Sequence, residues 1–369
     1  MLYPKIAIVT DDLIQFGGQE RLVMAICKMF PDAPLFTSVV SKKWQKQLKD
    51  KKIKFVTSFI QKFPFIEKLN RYYSPFLFHV LAFESFDFSK FDLVISISSR
   101  YAHHIITRPQ TRHICYMNTP GRMFWESGSY FESESYGYLS PIRKLAKPFL
   151  SLPLNYLRML DYAAAQRIDM LIANSKTPQD RIKKYYNRES RIIYPFVDLA
   201  KFESSAGSQG EYFLVVTRLV SWKRVDIAIK ACERLNLDLK IVGKGPDSAR
   251  LKKLAKKHTE FLDKVSDEEL AGYYSKCRAL IVTQFEDFGI VPIEAMACGK
   301  PVIAYRKGGV LETVVEGETG TFFDEQTEDS LVTVLRGFNP SDFSSQGCKD
   351  RARLFSQESF ENQIKSVVY

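Results

Sequence analysis

Two series of short, uninterrupted apolar runs, each alternating with helical patterns, constrain this chain more than any other feature. The first series is Lys5–Thr10 (KIAIVT), Asp92–Ser98 (DLVISIS) and Asp169–Asn174 (DMLIAN). The second is Glu211–Val216 (EYFLVV), Leu237–Val242 (LDLKIV), Ala279–Thr283 and Pro301–Tyr305. A strand that is apolar at successive positions is buried on both faces, which predicts parallel sheets with helices on either side. Helical patterns fall where such a fold needs them. Glu20–Met29 carries Leu22, Ile26 and Met29 on one stripe, and others cover Val225–Leu235, Asp247 to about Lys257, Asp267 to about Ser275 and Gln357–Val368. The pattern restarts after Pro195, with Tyr194–Gly210 as the hinge. The expectation is an α/β chain of two doubly wound halves, a division that 369 residues allow. Its ligand is expected in the crevice at the carboxyl ends of the strands.

Composition removes several classes. With 45% hydrophobic and 26% charged residues the chain is neither disordered nor fibrous. The longest apolar stretches, Pro75–Phe83 and Pro148–Leu157, are too short to span a bilayer, and Met1–Thr10 does not read as a signal peptide. Six scattered cysteines without a CxxC spacing read as free thiols in a reducing cytoplasm. Charge is unevenly spread: residues 1–200 hold 29 Lys and Arg against 17 Asp and Glu, and the rest is nearly balanced. The excess is densest in Lys42–Arg71, where Trp44, Phe55, Phe59, Phe63, Phe65 and Ile66 interrupt it. A solvated helix face and an anionic membrane surface both fit this pattern. Nucleic acid is not expected, because no zinc spacing, helix-turn-helix or RNP-like motif accompanies the charge. A second basic and apolar stretch, Pro141–Met159 (Arg143, Lys144, Lys147, Arg158, with Phe149, Leu150 and Leu152), favours the membrane surface.

The most specific segment is Glu286–Phe323, EDFGIVPIEAMACGKPVIAYRKGGVLETVVEGETGTFF. Glu286 falls in a loop just after the Ala279–Thr283 strand, and Gly289 permits tight backbone packing there. Pro292 suits the first position of a helix, where its missing N–H costs nothing, and Glu294 then falls at the third. One carboxylate would project from the loop and one from the first helical turn, both toward the strand-end crevice. Free amides at a helix start suit phosphate, and neighbouring carboxylates accept hydrogen bonds from sugar hydroxyls. The plainer alternative is that Glu294 caps its own helix and Glu286 is solvated.

On these residues the chain resembles the GT4 family of retaining glycosyltransferases, whose signature is Glu-x7-Glu, here Glu286 and Glu294. The resemblance extends through Gly17-Gly18-Gln19-Glu20-Arg21, ICYMNTPGRMFW (114–125), YPFVDLAKF (194–202), VTRLVSWKRVDIAI (216–229) and GKGP (243–246), and is closest to bacterial mannosyltransferase-like members. It implies a GT-B fold, two Rossmann-like domains facing across a cleft. Residues 1–200 would bind acceptor, 201–350 would bind the nucleotide-sugar, and 351–369 would form a helix crossing back to the first domain. The resemblance assigns Arg218 and Lys223 to the donor diphosphate, where fixed cations stabilise departing negative charge. It assigns Glu286 to donor-sugar hydroxyls and Glu294 to the ribose. Backbone amides of Gly308, Gly309, Val310 and Leu311 would meet phosphate and sugar. Gly17 and Gly18 would close over the donor phosphates, and Lys264 and Val265 would line the nucleobase pocket.

One residue departs from the family pattern. Asn118 precedes Thr119-Pro120 where many relatives carry a His placed near the reacting centre, and Asn can hydrogen-bond a hydroxyl but cannot carry a proton. Arg122 could meet an acceptor phosphate, with a surface ion pair as the alternative; His103 and His104 are expected to be solvated or packed. There is no Asp-x-Asp and no cluster with metal-ligand spacing, so neither a metal nor a cofactor is expected. No nucleophilic triad is legible either, which agrees with the same-face route that the resemblance implies, in which the leaving phosphate helps deprotonate the acceptor. The expected substrates are a nucleotide-sugar, GDP-mannose in the first reading and a UDP-sugar in the second, and a lipid-linked or polysaccharide acceptor. A sugar-nucleotide binder without turnover is the non-enzymatic alternative. The expected location is cytoplasmic, peripheral on the inner face of the plasma membrane.

Overall fold

A computed structural model describes residues 4–74, 76–127, 143–203 and 210–369. Parts of four readings therefore lie outside the described residues: positions 1–3 of Met1–Thr10, Pro75 of Pro75–Phe83, positions 204–209 of the hinge, and Pro141 with Ile142 of the second basic stretch. Of Arg143, Lys144, Lys147, Phe149 and Leu150 in that stretch, only the helical backbone is described. The chain divides into two compact units, Met1–Ile193 and Tyr194–Tyr369. The division comes just after the Arg191–Ile192 strand, earlier than residue 200, and the terminal helix is counted with the second unit.

The N-terminal unit contains a seven-stranded sheet of β1 (Ile6–Thr10), β2 (Leu35–Thr37), β3 (Phe55–Thr57), β4 (Leu93–Ser98), β5 (Arg112–Met117), β6 (Met170–Ala173) and β7 (Arg191–Ile192). Its order is β3-β2-β1-β4-β5-β6-β7, and every neighbouring pair is parallel. The C-terminal unit contains six strands, β8 (Tyr212–Val216), β9 (Leu239–Val242), β10 (Thr259–Phe261), β11 (Cys277–Val282), β12 (Val302–Tyr305) and β13 (Gly320–Phe323). They are again all parallel, in the order β10-β9-β8-β11-β12-β13. Both orders reverse direction beside the first strand, between β1 and β4 and between β8 and β11. In a doubly wound sheet that reversal opens the crevice where ligands bind.

Side-chain alternation explains the apolar runs. Tyr212 and Leu214 of β8 join one buried cluster with Leu280, Val282, Val302 and Ala304. Phe213 and Val215 point the other way, into a second cluster with Ile281, Ile303 and Phe323. Both faces of the sheet are therefore core, which is why these strands read as continuous rather than alternating. Local chemistry sets the helix ends. Ser266 and Glu269 form a reciprocal capping box on helix Asp267–Lys276, Ser356 caps Gln357–Val368, and left-handed Asn187 and Asn236 close two others. All six cysteines are unpaired and buried. Among the described residues no helix is long and apolar enough to cross a membrane.

The reversal point of the first sheet is closed by the chain itself. Asp11, immediately after β1 and 3% exposed, accepts four backbone N–H groups that follow β4. Ser99 and Arg100 donate to Oδ2 at 2.7 and 3.1 Å, and Tyr101 and Ala102 to Oδ1 at 2.8 Å each.

Candidate active site

The second sheet's reversal point carries the charged groups expected there. β8 leads through Arg218 and a short 3-10 turn, Ser221–Lys223, into helix Val225–Leu235, with Arg224 in the left-handed region at the junction (φ 51°). The turn is tied across to β11, because Thr283 Oγ1 donates to the Lys223 carbonyl at 2.8 Å. Lys223 is 8% exposed; its ammonium pairs with the Glu286 carboxylate and lies 4.3 Å from the centroid of the Trp222 ring. Glu286 is only partly buried, so it is not the freely solvated residue of the plainer reading.

Three glycines shape this carboxylate's surroundings. Gly289, at φ +84°, leaves the room that Glu286 uses, since a Cβ there would lie 3.0 Å from Oε2. Gly308 (φ +84°) and Gly309 pack directly against the Glu286–Phe288 backbone; their Cβ atoms would lie 2.3 Å from the Glu286 carbonyl and from Phe288 Cα. The Gly309 amide donates to the Glu286 carbonyl at 2.9 Å, and the Leu311 amide to the Gly308 carbonyl at 3.0 Å. These two amides are thus engaged inside the loop, which corrects the expectation that all four of residues 308–311 face a ligand. Val310 is buried and Leu311 exposed, and the helix they open runs Val310–Thr313.

Glu294 behaves differently from Glu286. Its helix is Val291–Ala297, so Pro292 stands second and Glu294 fourth, one place later than expected. The carboxylate is 5% exposed and accepts the Tyr274 hydroxyl at 2.9 Å, a partner on another helix that spacing along the chain could not reveal. Burial and the Glu294 charge hold that hydroxyl's pKa well above its ordinary range. Glu294 is therefore a buried, hydrogen-bonded carboxylate rather than a simple cap.

Beside this constellation a cavity of about 390 Å³ opens at the ends of β8 and β9 and the loop after β10. Arg218, Lys264 and Val265 line it together with Val216, Val242 and Asp263. Three residues expected at the donor thus share one cavity in the C-terminal unit. Asp263, whose backbone is in the left-handed region (φ 53°), looks in the sequence like an ordinary loop acid.

In the N-terminal unit, Gly17 caps helix Gly18–Met29 in extended backbone (φ −160°), beside Phe16 stacked 4.3 Å from Trp44. Asn118 follows β5 directly. Its Nδ2 donates to Ser99 Oγ at 3.3 Å, Ser99 donates to Gln19 Oε1 at 2.6 Å, and Gln19 donates to Asp11 Oδ2 at 3.4 Å. That chain fixes which way the amide faces and joins it to the Gly17-Gly18 turn. Arg122 takes the alternative reading, an ion pair with Glu126 at 3.3 Å.

His103 and His104 do not face solvent. Both are 1% exposed and converge on Asp161 Oδ1, at 3.1 and 3.6 Å from their Nε2 atoms. Asp161 Oδ2 accepts from Trp125 Nε1 and Tyr186 Oη at 2.7 Å each. Burial pushes the Asp161 carboxyl up, but the two imidazoles outweigh it and hold the group well below the usual range. The sequence shows no metal-ligand spacing, yet the fold brings Asp161 to two histidines that stand 58 and 57 residues before it. Three is one fewer than a closed tetrahedral site takes.

The interrupted basic stretch is only partly a surface. Trp44 and Ile66 are core residues at 1% and 5% exposure, whereas Phe65 is 76% exposed.

Comparison with known proteins follows the same division. The model for "Glycosyl transferases group 1" matches residues 197–353, and that for "Glycosyltransferase Family 4" matches residues 16–201. An uncharacterized glycosyltransferase of Methanocaldococcus jannaschii is 31% identical over 175 residues, 46% of this chain and 49% of that protein. A GDP-mannose-dependent α-(1-6)-phosphatidylinositol monomannoside mannosyltransferase of Mycolicibacterium smegmatis is 33% identical over 138 residues, 32% of this chain and 36% of its own. The matched stretches thus span half or less of these relatives. The crystal structure of Anabaena HepE in complex with UDP and glucose aligns with TM-score 0.71 at 18% identity over 99% of both chains, which shows the GT-B fold. With one family model covering half of its length, this chain belongs to glycosyltransferase family 4.

Proposed function

We propose that the protein is a retaining glycosyltransferase that moves mannose from GDP-mannose to a lipid-linked oligosaccharide or polysaccharide acceptor. The observation that carries the reading is the pairing of Lys223 with Glu286 at the reversal point of the second sheet, against Gly308 and Gly309. A mostly buried ammonium there can hold the donor diphosphate, and it becomes worth more as charge builds on the departing nucleoside diphosphate. Arg218, exposed at the cavity edge, adds a second cation. Glu286 accepts hydrogen bonds from sugar hydroxyls and keeps Lys223 in place while the site is empty. Glu294, held by Tyr274, takes the ribose hydroxyls. In the N-terminal unit the Asn118 amide can offer a hydroxyl only a neutral hydrogen bond, with the Gly17-Gly18 turn beside it. The name of the mycobacterial relative supports GDP-mannose over a UDP-sugar.

A membrane-borne acceptor is supported by the N-terminal unit's surface. Phe76, Leu77, Phe78 and Leu81 line an apolar groove of about 430 Å³ with Pro153 and Tyr156. Phe63, 5.2 Å from Phe78, joins it to the segment carrying exposed Lys62, Phe65 and Lys68. Apolar groups within a basic surface suit an anionic bilayer.

The test is thermal unfolding against GDP-, UDP- and ADP-sugars, with Glu286→Ala as control. A ligand at about 100 times its dissociation constant adds roughly 2.7 kcal/mol. A shift with GDP-mannose that the variant loses supports the donor, and a shift with a UDP-sugar alone replaces it. Failure of anionic vesicles to co-sediment the protein at low salt would remove the membrane part.

A further inference from the structure

The histidine–aspartate cluster of the N-terminal unit has no part in the transfer reaction, and its polar atoms face one another. His103 and His104 end the 3-10 turn Ala102–His104 that follows β4, and Asp161 stands on helix Arg143–Gln166. All three residues are 0–1% exposed. One donor atom of each lies within 4.8 Å of the other two, and Asp161 Oδ1 stands 3.1 and 3.6 Å from the two Nε2 atoms. Yet among the described residues Oδ1 and both Nε2 atoms lack an aligned hydrogen-bond partner. A carboxylate this deeply buried is costly unless it is paired or bound to a metal. The outward atoms, by contrast, are tied down. Asp161 Oδ2 accepts from Trp125 Nε1 and Tyr186 Oη at 2.7 Å each, and His103 Nδ1 lies 2.8 Å from Ser98 Oγ. Such outer contacts orient metal ligands, here leaving one oxygen of Asp161 and one nitrogen of His103 turned inward.

We propose that His103, His104 and Asp161 bind one divalent cation of the zinc class, as a structural clamp between the turn after β4 and helix Arg143–Gln166. Ligands about 2.0–2.1 Å from a tetrahedral zinc stand about 3.3 Å from one another, and 3.1 and 3.6 Å bracket that spacing. Two neutral imidazoles and a carboxylate suit zinc, whose charge offsets that of the buried aspartate. With its Nδ1 proton donated to Ser98, His103 presents Nε2 as a bare lone pair. The fourth ligand is a water, as in other zinc sites with three protein ligands. Calcium and magnesium call for more oxygen ligands, and an iron centre on the same three residue types needs open positions that side chains this buried do not give. Tyr101 and Ala102, whose amides hold Asp11, directly precede the two histidines. The cation therefore fixes the segment that closes the first sheet's reversal point. The inference is independent of donor and acceptor.

The experiment measures metal by plasma mass spectrometry in the untagged full chain, expressed with zinc in the medium and purified without chelator. One zinc per chain is expected. Cobalt exchanged for it should show the visible bands of a four-coordinate centre. Zinc returned to chelator-treated protein should raise the thermal midpoint by several degrees, as a saturating ligand does. His104→Gln should lose both the metal and the thermal response; neither nitrogen of His104 has a hydrogen-bond partner among the described residues, so the exchange breaks no bond. His79→Phe, which removes a buried histidine outside the cluster, should keep both. The proposal is overturned if the wild-type chain carries no zinc and binds neither zinc nor cobalt by calorimetry at neutral pH, in which case a protonated imidazole pairs with Asp161. A six-coordinate cobalt spectrum would overturn it without any variant, and so would full retention of metal by His104→Gln.

Discussion

Acid should unfold the two halves of this protein unequally, because its fully buried histidines all belong to the first. Of the five histidines, His79, His103, His104 and His113 lie in the N-terminal unit at 1% exposure, and His258 in the other is partly exposed. Burial lowers the imidazole pKa to about 3 at His79 and His113, and to about 4 at His104, where Asp161 pulls it back up only in part. An unfolded imidazole titrates near 6.5. Below that pH the unfolded chain binds protons that the folded unit refuses, so stability is lost as pH falls, down toward the folded values. Between pH 7 and 5.5 each such histidine costs about 1.2 kcal/mol, so the three together remove roughly 4 kcal/mol, a large share of a domain's 5–15. Glu20, whose carboxyl burial raises, opposes this in part. Hydrogen exchange read by mass spectrometry at both pH values resolves the units separately. The slowest amides of β4 and β5 should lose protection by that amount, after correction for intrinsic exchange, and those of β8 and β11 far less. His79→Phe supplies the control. Its ring stacks on Tyr101 at 5.0 Å with neither nitrogen hydrogen-bonded, so the replacement should remove about a third of the pH dependence. Equal losses in both units, or an unaltered dependence in the variant, would refute the reasoning.

Two further outcomes follow from the second unit. Lys223→Met should weaken GDP binding about 10- to 100-fold by calorimetry, the range of a lost charge-assisted hydrogen bond of about 1.5–3 kcal/mol. Gly308→Ala meets both a left-handed backbone and the Glu286 carbonyl at 2.3 Å, so it should destabilise the C-terminal unit by about 1–3 kcal/mol in denaturant titration and impair donor binding through the displaced loop.

Apolar patterning reaches some elements and not others for a physical reason. Strands β1, β4, β8 and β11 are central and buried on both faces, so their sequences are unbroken runs, and helix Gln357–Val368 is amphipathic and capped by Ser356. The flanking strands Leu35–Thr37, Phe55–Thr57 and Arg191–Ile192 are two or three residues long, too short for any period to show. The site divides similarly. Glu286, Lys223, Gly308 and Gly309 stand in a recognisable order along the chain. Tyr274 on Glu294, the imidazoles on Asp161 and the left-handed Asp263 depend on contacts that only folding creates. Trp44 shows the opposite limit: it sits among lysines, yet its indole is buried and donates to the Gln15 carbonyl at 2.6 Å.

At its reversal point the first sheet differs chemically from the second, although the two halves share one design. Four amides converging after β4 form a nest suited to an anion, and Asp11 already fills it. A carboxylate tethered one residue beyond β1 acts as an intramolecular ligand, at an effective concentration that no dissolved phosphate can match. Those four amides are thereby withheld from any outside anion, at the place where a sheet of this design ordinarily presents them.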